Sequence, residues 1–153
     1  MTTTTTTETT VQVYQVFIKA SPEQIWDAIT KPEFTEKYFY GARVESTVEP
    51  GSPWRYRGPD GSLWGDETVL EADPPNKLVV GWRSLYSPEL ADEPASRITW
   101  EILAHEGGYS QLTVVHDQLE GSPKTAASVS GMGWMMVLSG LKTLVETGKP
   151  LAD

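Results

Sequence analysis

The residues in this chain that could act as acids or bases are His116 and a neighbouring pair of carboxylates, Asp66 and Glu67. A histidine titrates near neutral pH, and one at the inner end of a strand could exchange a proton with a bound molecule. A carboxylate buried beside it would have a raised pKa and could serve as the acid. Two other interpretations remain open. In the first, His116 has only a structural role. In the second, the carboxylates lie at a strand edge or pair with Arg55 or Arg83.

Motifs for other kinds of catalytic site are missing from the sequence. The chain has no cysteine, so a disulfide, a thiolate nucleophile and a cysteine metal site are excluded. The second histidine, His105, is expected on an exposed turn, and two distant histidines make no recognisable metal site. The Gly-x-Gly at Gly131 to Gly133 lies inside a predicted helix, which does not suit nucleotide binding. The sequence therefore predicts no metal and no cofactor.

Aromatic residues are unusually frequent, with six Trp, six Tyr and three Phe. Large rings with polar tips suit the wall of a pocket, but they can equally fill a solid core. The strand pattern places five of them on inward positions: Trp54, Tyr56, Trp64, Trp82 and Trp100. Phe39 and Tyr40 would lie near the mouth of a pocket.

A long C-terminal helix is predicted from Pro123 to Gly148. Ser122 is placed to cap it, proline suits its first position, and Gly148 marks its end. One side is apolar and contains Val129, Met132, Gly133, Met136, Val137, Gly140 and Leu144. Each interior glycine costs about 1 kcal/mol of helix propensity. Gly133 and Gly140 therefore indicate either close approach to a sheet or open volume for a ligand.

The elements before this helix are predicted to be strands and two short helices. Val11, Val13 and Phe17 alternate with polar residues in a first strand over 11–19. Two short helices follow, the first opened by Ser21 and proline. Six further strands are separated by Gly, Pro, Asn and Asp turns, and a polar loop over 84–94 is the longest gap. This order predicts an α+β fold in which a curved antiparallel sheet of about seven strands wraps around the final helix.

The composition and net charge of the chain limit the kinds of molecule that it is expected to bind. The net charge of −9 over 153 residues, without a basic run, argues against nucleic acid and anionic membrane surfaces. The N-terminal sequence MTTTTTTETT lacks the features of a signal peptide, and no segment is apolar enough for membrane insertion. We expect a flexible tail at 1–10, a single domain at 11–153 and a cytoplasmic protein.

Several segments together resemble a known family. They are IKASPEQIWDAIT, ADPPNKLVVGW, LTVVHDQLE and GWMMVLSGLKTLVETG. The chain is similar over 11–148 to the helix-grip fold of the START and birch-pollen-allergen superfamily, SRPBCC, and to its AHSA-type members, related to activators of a heat-shock ATPase. The resemblance implies an apolar cavity between the sheet and the long helix, as in members that bind lipids, polyketides, flavonoids or hormones.

Three functions follow as expectations. The first is noncovalent binding of a small hydrophobic molecule, and the second is a cyclase or aromatase that uses His116 and the carboxylates with Tyr40 or Tyr56. The third is a chaperone-binding module, and a homodimer is left open. The residues expected to contact a ligand are Phe39, Tyr40, Trp54, Tyr56, Trp64, Trp82, Trp100, His116, Met132 and Met136.

Overall fold

The computed structural model describes residues 11–152, so the tail expected at 1–10 lies outside the described residues. The strands are β1 Gln12–Ile18, β2 Arg43–Glu45, β3 Pro53–Arg57, β4 Leu63–Asp73, β5 Lys77–Trp82, β6 Ser96–His105 and β7 Tyr109–Asp117. The helices are α1 Pro22–Thr30, α2 Pro32–Tyr38, α3 Pro88–Ala91, α4 Pro123–Ser128 and α5 Trp134–Thr147, with a π-helical segment, Val129–Gly133, between the last two.

The seven strands form one antiparallel sheet in the order β1-β7-β6-β5-β4-β3-β2. The main core lies between this curved sheet and helices α1, α2 and α5. The predicted α+β helix-grip fold is confirmed, with two short helices after β1 and a long helical run at the C-terminus. No helix within residues 11–152 is long and apolar enough to cross a membrane.

The ends of the helices show which local signals the chain uses. Ser21 forms a capping box with Gln24, as its position before a proline predicts. Gly148 takes a left-handed conformation with φ 77° and ends α5 as predicted. Ser122 occupies the N-cap position of α4 as predicted, but its hydroxyl does not cap the helix and donates to the carbonyl of Pro94 instead. The carboxylate of Glu93 accepts the free N–H groups of the first turn of α4 in its place.

The C-terminal helical run has an interruption that the sequence pattern did not predict. Residues 129–133 form wider π-type turns, and Gly131 departs from helical geometry with ψ −110°. The close approach to the sheet that was one explanation for the interior glycines is wrong at Gly140. A Cβ on Gly140 would lie 2.9 Å from the Cβ of Tyr38, so the close neighbour is α2 and not the sheet. A Cβ on Gly133 would lie 3.3 Å from the carbonyl oxygen of Ser128, the last residue of α4.

On the outer side of β1, β7 and β6, the structure decides one question that alternation left open and corrects one prediction. Val11, Val13 and Phe17 lie on the solvent side of β1, because the residues between them pack on the core. Both faces of β1 carry apolar residues, so alternation alone does not identify the buried one. His105 is the last residue of β6, where its ring stacks on Tyr109 with centroids 5.1 Å apart, and it is not on an exposed turn.

Candidate functional site

A cavity of about 420 Å³ lies between the sheet, the residues after α2 and the interrupted helix. Its walls are largely apolar and aromatic. They are formed by Phe39, Tyr40, Ala42, Tyr56, Trp64, Trp82, Tyr86, Ile98, His116, Ser128, Val129, Met132, Gly133, Trp134 and Val137. The size falls within the range of about 300 to 1,000 Å³ that is usual for small-molecule sites.

The aromatic side chains of the cavity hold one another in place. Phe39 stacks on Tyr56 with ring centroids 4.5 Å apart and an interplanar angle of 11°. Trp82 meets Tyr56 edge-on at 5.7 Å, an arrangement favoured by the ring quadrupoles. Burial raises the pKa of Tyr56 well above its ordinary value, so its phenol is protonated at neutral pH. This part of the wall is therefore rigid, flat and uncharged.

The mouth of the cavity is formed by exposed side chains from separate parts of the chain. Tyr40 follows α2 and takes a left-handed backbone conformation with φ 54°. Its hydroxyl donates a long hydrogen bond, 3.4 Å, to the carbonyl of Gly133 in the helix interruption. Tyr86 comes from the loop after β5, where its ring packs edge-on against Trp64. Met132 is 68% exposed and completes the rim from the helical side.

His116 lies in the inner wall and is completely buried. The indole N–H of Trp134 donates to its Nδ1 at 3.0 Å, so this nitrogen is an acceptor and the proton must sit on Nε2. Nε2 lies 2.7 Å from the hydroxyl of Ser96 and donates to it, while that hydroxyl donates to the carbonyl of Trp82 at 3.2 Å. Burial lowers the pKa of His116 to about 4. The imidazole is thus neutral, and both of its nitrogens are engaged.

The two candidate carboxylates lie away from His116 and do not line the cavity. Asp66 pairs with Arg55 at 2.9 Å, and Glu67 lies 3.9 Å from Arg83. The alternative that these carboxylates pair with the two arginines is confirmed. Burial raises the pKa of Glu67, although the nearby Arg83 opposes this effect. The structure therefore does not bring either carboxylate together with His116 in the cavity, whereas Tyr40 and Tyr56 do line it.

The family model for activator of Hsp90 ATPase homolog 1-like proteins matches residues 19–146 of this chain. The chain belongs to this family. The predicted AHSA-type SRPBCC membership is thereby confirmed. A comparison with curated protein sequences found no match.

Solved structures similar to this AHSA1-type chain share its fold at low sequence identity. CalU16 from Micromonospora echinospora superposes with a TM-score of 0.71 and 20% identity, covering 93% of this chain and 77% of CalU16. DynU16 from the dynemicin biosynthetic locus gives 0.73 and 23%, covering 92% of this chain and 48% of DynU16. The Aha1 dimer from Colwellia psychrerythraea gives 0.71 and 20%, with coverages of 92% and 98%. At these identities the likeness establishes the fold alone.

Most of the residues expected to contact a ligand lie around the cavity of this AHSA1-type chain. The members that line it are Phe39, Tyr40, Tyr56, Trp64, Trp82, His116 and Met132. Trp54 and Trp100 are buried in the core and do not reach the cavity, while Met136 is half-buried elsewhere on α5. No cluster of residues that could hold a metal ion occurs within residues 11–152.

Sequence reasoning missed two aromatic residues of the cavity wall, Tyr86 and Trp134. Tyr86 lies in a loop, where no periodicity indicates which way a side chain points. Trp134 begins α5 directly after the helix interruption, so a projection of one continuous helix misplaces it. The closely spaced Gly131 and Gly133 were the signal available for that interruption.

Proposed function

We propose that this AHSA1-type protein binds a small hydrophobic molecule, such as a lipid, a polyketide or a flavonoid-like compound, in the cytoplasm and without covalent chemistry. One observation carries the proposal: a cavity of about 420 Å³ is walled by aromatic and aliphatic side chains and opens at a rim of exposed residues. Transfer of apolar surface from water into such a site is favourable in proportion to the area buried.

The cyclase alternative receives no comparable support from the cavity. His116 has no free nitrogen for a substrate, since Trp134 and Ser96 occupy both positions. Asp66 and Glu67 are paired with arginines outside the cavity. Tyr40 and Tyr56 line the cavity, but their raised pKa values keep both phenols protonated at neutral pH, so they could act only as acids and would need a free base beside them.

Ligand-dependent thermal shifts test the proposed binding. Members of a panel of lipids, polyketides and flavonoids should raise Tm, because a ligand that binds only the folded state adds stability, about 2.7 kcal/mol at a hundredfold excess over Kd. A panel in which no compound raises Tm or quenches the tryptophan fluorescence would contradict the proposal.

A matched pair of variants tests whether the shift comes from this cavity. Val137 lines it and is almost fully buried, so Val137→Phe should fill part of the volume and reduce the ligand-dependent Tm shift by at least half. Val115→Phe makes the same change on the outer face of β7, next to Thr99 and Val13, and should leave the shift unaltered. Equal shifts in both variants would place the ligand elsewhere. Circular dichroism shows whether each variant is folded.

We also propose that the protein forms a homodimer through the outer face of β1, β7 and β6. This face carries exposed apolar side chains: Phe17 and Leu103 lie in one row of the sheet, Tyr109 lies in the next row, and Val13 lies further along β1. Exposed apolar patches of this kind are typical of interaction surfaces. Light scattering after size-exclusion chromatography should give twice the chain mass at micromolar concentration, and a monomer throughout would refute the proposal.

A further inference from the structure

We infer that the cavity takes an uncharged compound built on a flat ring system, held with its polar substituent at the mouth. This inference rests on the proposed binding function and narrows it to one chemical class. It also excludes ligands such as fatty acids, whose carboxylate would have to be buried.

The cavity has, in the described part of its wall, no charged side chain that could balance a charge on the ligand. The side chains that line it, all among residues 11–152, include no Lys, Arg, Asp or Glu. Arg55 and Arg83 do not line it: Arg55 is paired with Asp66, and Arg83 lies 3.9 Å from Glu67, although its buried Nε makes no hydrogen bond within the described residues. Burial of an ion without a partner costs several kcal/mol, which is more than a hundredfold in affinity. The net charge of −9 further disfavours the approach of an anion.

The neutral imidazole of His116 gives the inner wall no compensating charge. Its two ring nitrogens are hydrogen-bonded to Trp134 and Ser96, and the hydroxyl of Ser96 in turn donates to the backbone carbonyl of Trp82. A ligand carboxylate at this depth would meet neither a cation nor a free donor from this group. An ammonium group would meet aromatic faces but no carboxylate to balance it.

Three of the polar groups that line the cavity lie at its mouth, whereas the phenol of Tyr56 lies in the buried wall. The phenols of Tyr40 and Tyr86 and the hydroxyl of Ser128 belong to exposed residues that line the cavity. Tyr40 has a raised pKa, first because of partial burial and then because Tyr86 is close. Both phenols can accept a hydrogen bond, and that of Tyr86 can also donate one, whereas the O–H of Tyr40 already donates to the carbonyl of Gly133. A hydroxyl or carbonyl substituent of the ligand would therefore be recognised at this end.

The aromatic wall favours rings over flexible chains. Phe39, Tyr56 and Trp82 are fixed against one another before any ligand arrives. A planar ligand can stack on or meet these rings edge-on without losing internal rotations, whereas an acyl chain loses conformational entropy when it is ordered.

Three pyrene derivatives that share one ring system test the inference. At about pH 7.5, 1-pyrenemethanol is neutral, 1-pyrenecarboxylate is an anion and 1-pyrenemethylamine is a cation. We expect fluorescence titration to show that the alcohol binds at least tenfold more tightly than either charged probe and more tightly than oleate. Equal or tighter binding of a charged probe or of oleate would overturn the inference.

The outcomes separate this inference from the proposed function. If no pyrene probe binds while another member of the ligand panel raises Tm, the ring assignment is wrong and the binding function stands. If neither the probes nor the panel bind, the proposed function itself fails.

Substitutions at the mouth test the orientation of the ligand. Tyr40→Phe and Tyr86→Phe remove only hydroxyl groups. Each should therefore weaken the binding of 1-pyrenemethanol about threefold to tenfold and leave the binding of unsubstituted pyrene unchanged. Tyr109→Phe is the matched control, because Tyr109 lies on β7 away from the cavity. Equal loss for both probes, or no loss for the alcohol, would show that its polar group does not lie at the mouth.

Discussion

His116 joins the sheet to the last helix through hydrogen bonds to Ser96 on β6 and to Trp134 at the start of α5. Burial lowers its pKa from 6.5 to about 4. A neutral histidine with both nitrogens bonded supports structure rather than proton transfer. Loss of either partner would leave a buried polar atom without a hydrogen bond, which costs about 1 to 3 kcal/mol.

The lowered pKa of His116 makes stability depend on pH in a defined direction. In the unfolded chain this histidine binds a proton below about pH 6.5, but in the folded protein only below about pH 4. The unfolded state therefore gains protons first as pH falls through this window. The stabilisation is complete above pH 6.5, and its loss should approach 3 kcal/mol near pH 4. Urea denaturation between pH 7.5 and 4.5 measures this change.

His116→Gln provides the control, because glutamine does not titrate. Its free energy of unfolding should be lower at neutral pH, but it should fall less steeply between pH 6.5 and 4.5 than that of the wild type. Side-chain hydrogen bonds also lower the pKa values of Asp60 and Glu146, and these two groups act equally in both proteins. Identical slopes would mean that His116 is not the source.

The contact between α5 and α2 depends on a glycine. Gly140 lies against the backbone and Cβ of Tyr38, and the hydroxyl of Tyr38 donates to the carbonyl of Ala28 on α1 at 2.6 Å. Tyr38 is buried and cannot easily move aside. Helices α1, α2 and α5 therefore contact one another around Tyr38. A side chain at position 140 of α5 would not fit there.

Gly140→Ala should therefore destabilise the protein although alanine is the better helix former. The gain in propensity is about 1 kcal/mol, while overpacking against a fixed neighbour costs about 1 to 3 kcal/mol, so we expect a net loss near 1 kcal/mol. Urea denaturation measures the difference. Ser139→Ala, on the exposed side of the same turn, should be neutral or slightly stabilising. A stabilised Gly140→Ala protein would show that α2 moves freely.

At the scale of the whole molecule, the two faces of the sheet have different surroundings. The inner face contributes to the core and to the cavity wall, whereas the outer face of β1, β7 and β6 keeps apolar side chains in contact with solvent. Phe17, His105 and Tyr109 pack on one another there, with ring centroids 5.1 to 5.9 Å apart. An aromatic cluster at a surface is a natural centre for the proposed dimer.

Phe17→Glu should shift the proposed dimer to monomer by introducing two charges, one from each copy, into a self-complementary interface. Sedimentation velocity at several concentrations measures the shift. Leu70→Glu is the matched control, since Leu70 is similarly exposed but lies on β4. If Phe17→Glu remains dimeric, or if only Leu70→Glu dissociates, the dimer uses another surface. Ligand-dependent Tm shifts of Phe17→Glu should persist, because the cavity does not include Phe17.

The order of the strands, the two short helices after β1, the capping box of Ser21 with Gln24 and the stop at Gly148 could be predicted from sequence, but the short helix α3 and the interruption after α4 could not. Each predicted feature is encoded by neighbouring residues, through periodicity, turn chemistry or a hydrogen bond that spans a few positions. The inward placement of Tyr56 and Trp82 also followed from strand alternation.

Other features were decided by contacts between residues far apart in the chain. His116 forms hydrogen bonds with residues 18 and 20 positions away in the chain. Gly140 on α5 lies against Tyr38 on α2. Alternation could not tell which apolar face of β1 is buried, nor that Trp100 fills core while Trp134 lines the cavity. Local pattern determines which side of an element is apolar, but packing against distant elements determines what that side touches and where space remains. The position and walls of the cavity therefore belong to the tertiary structure.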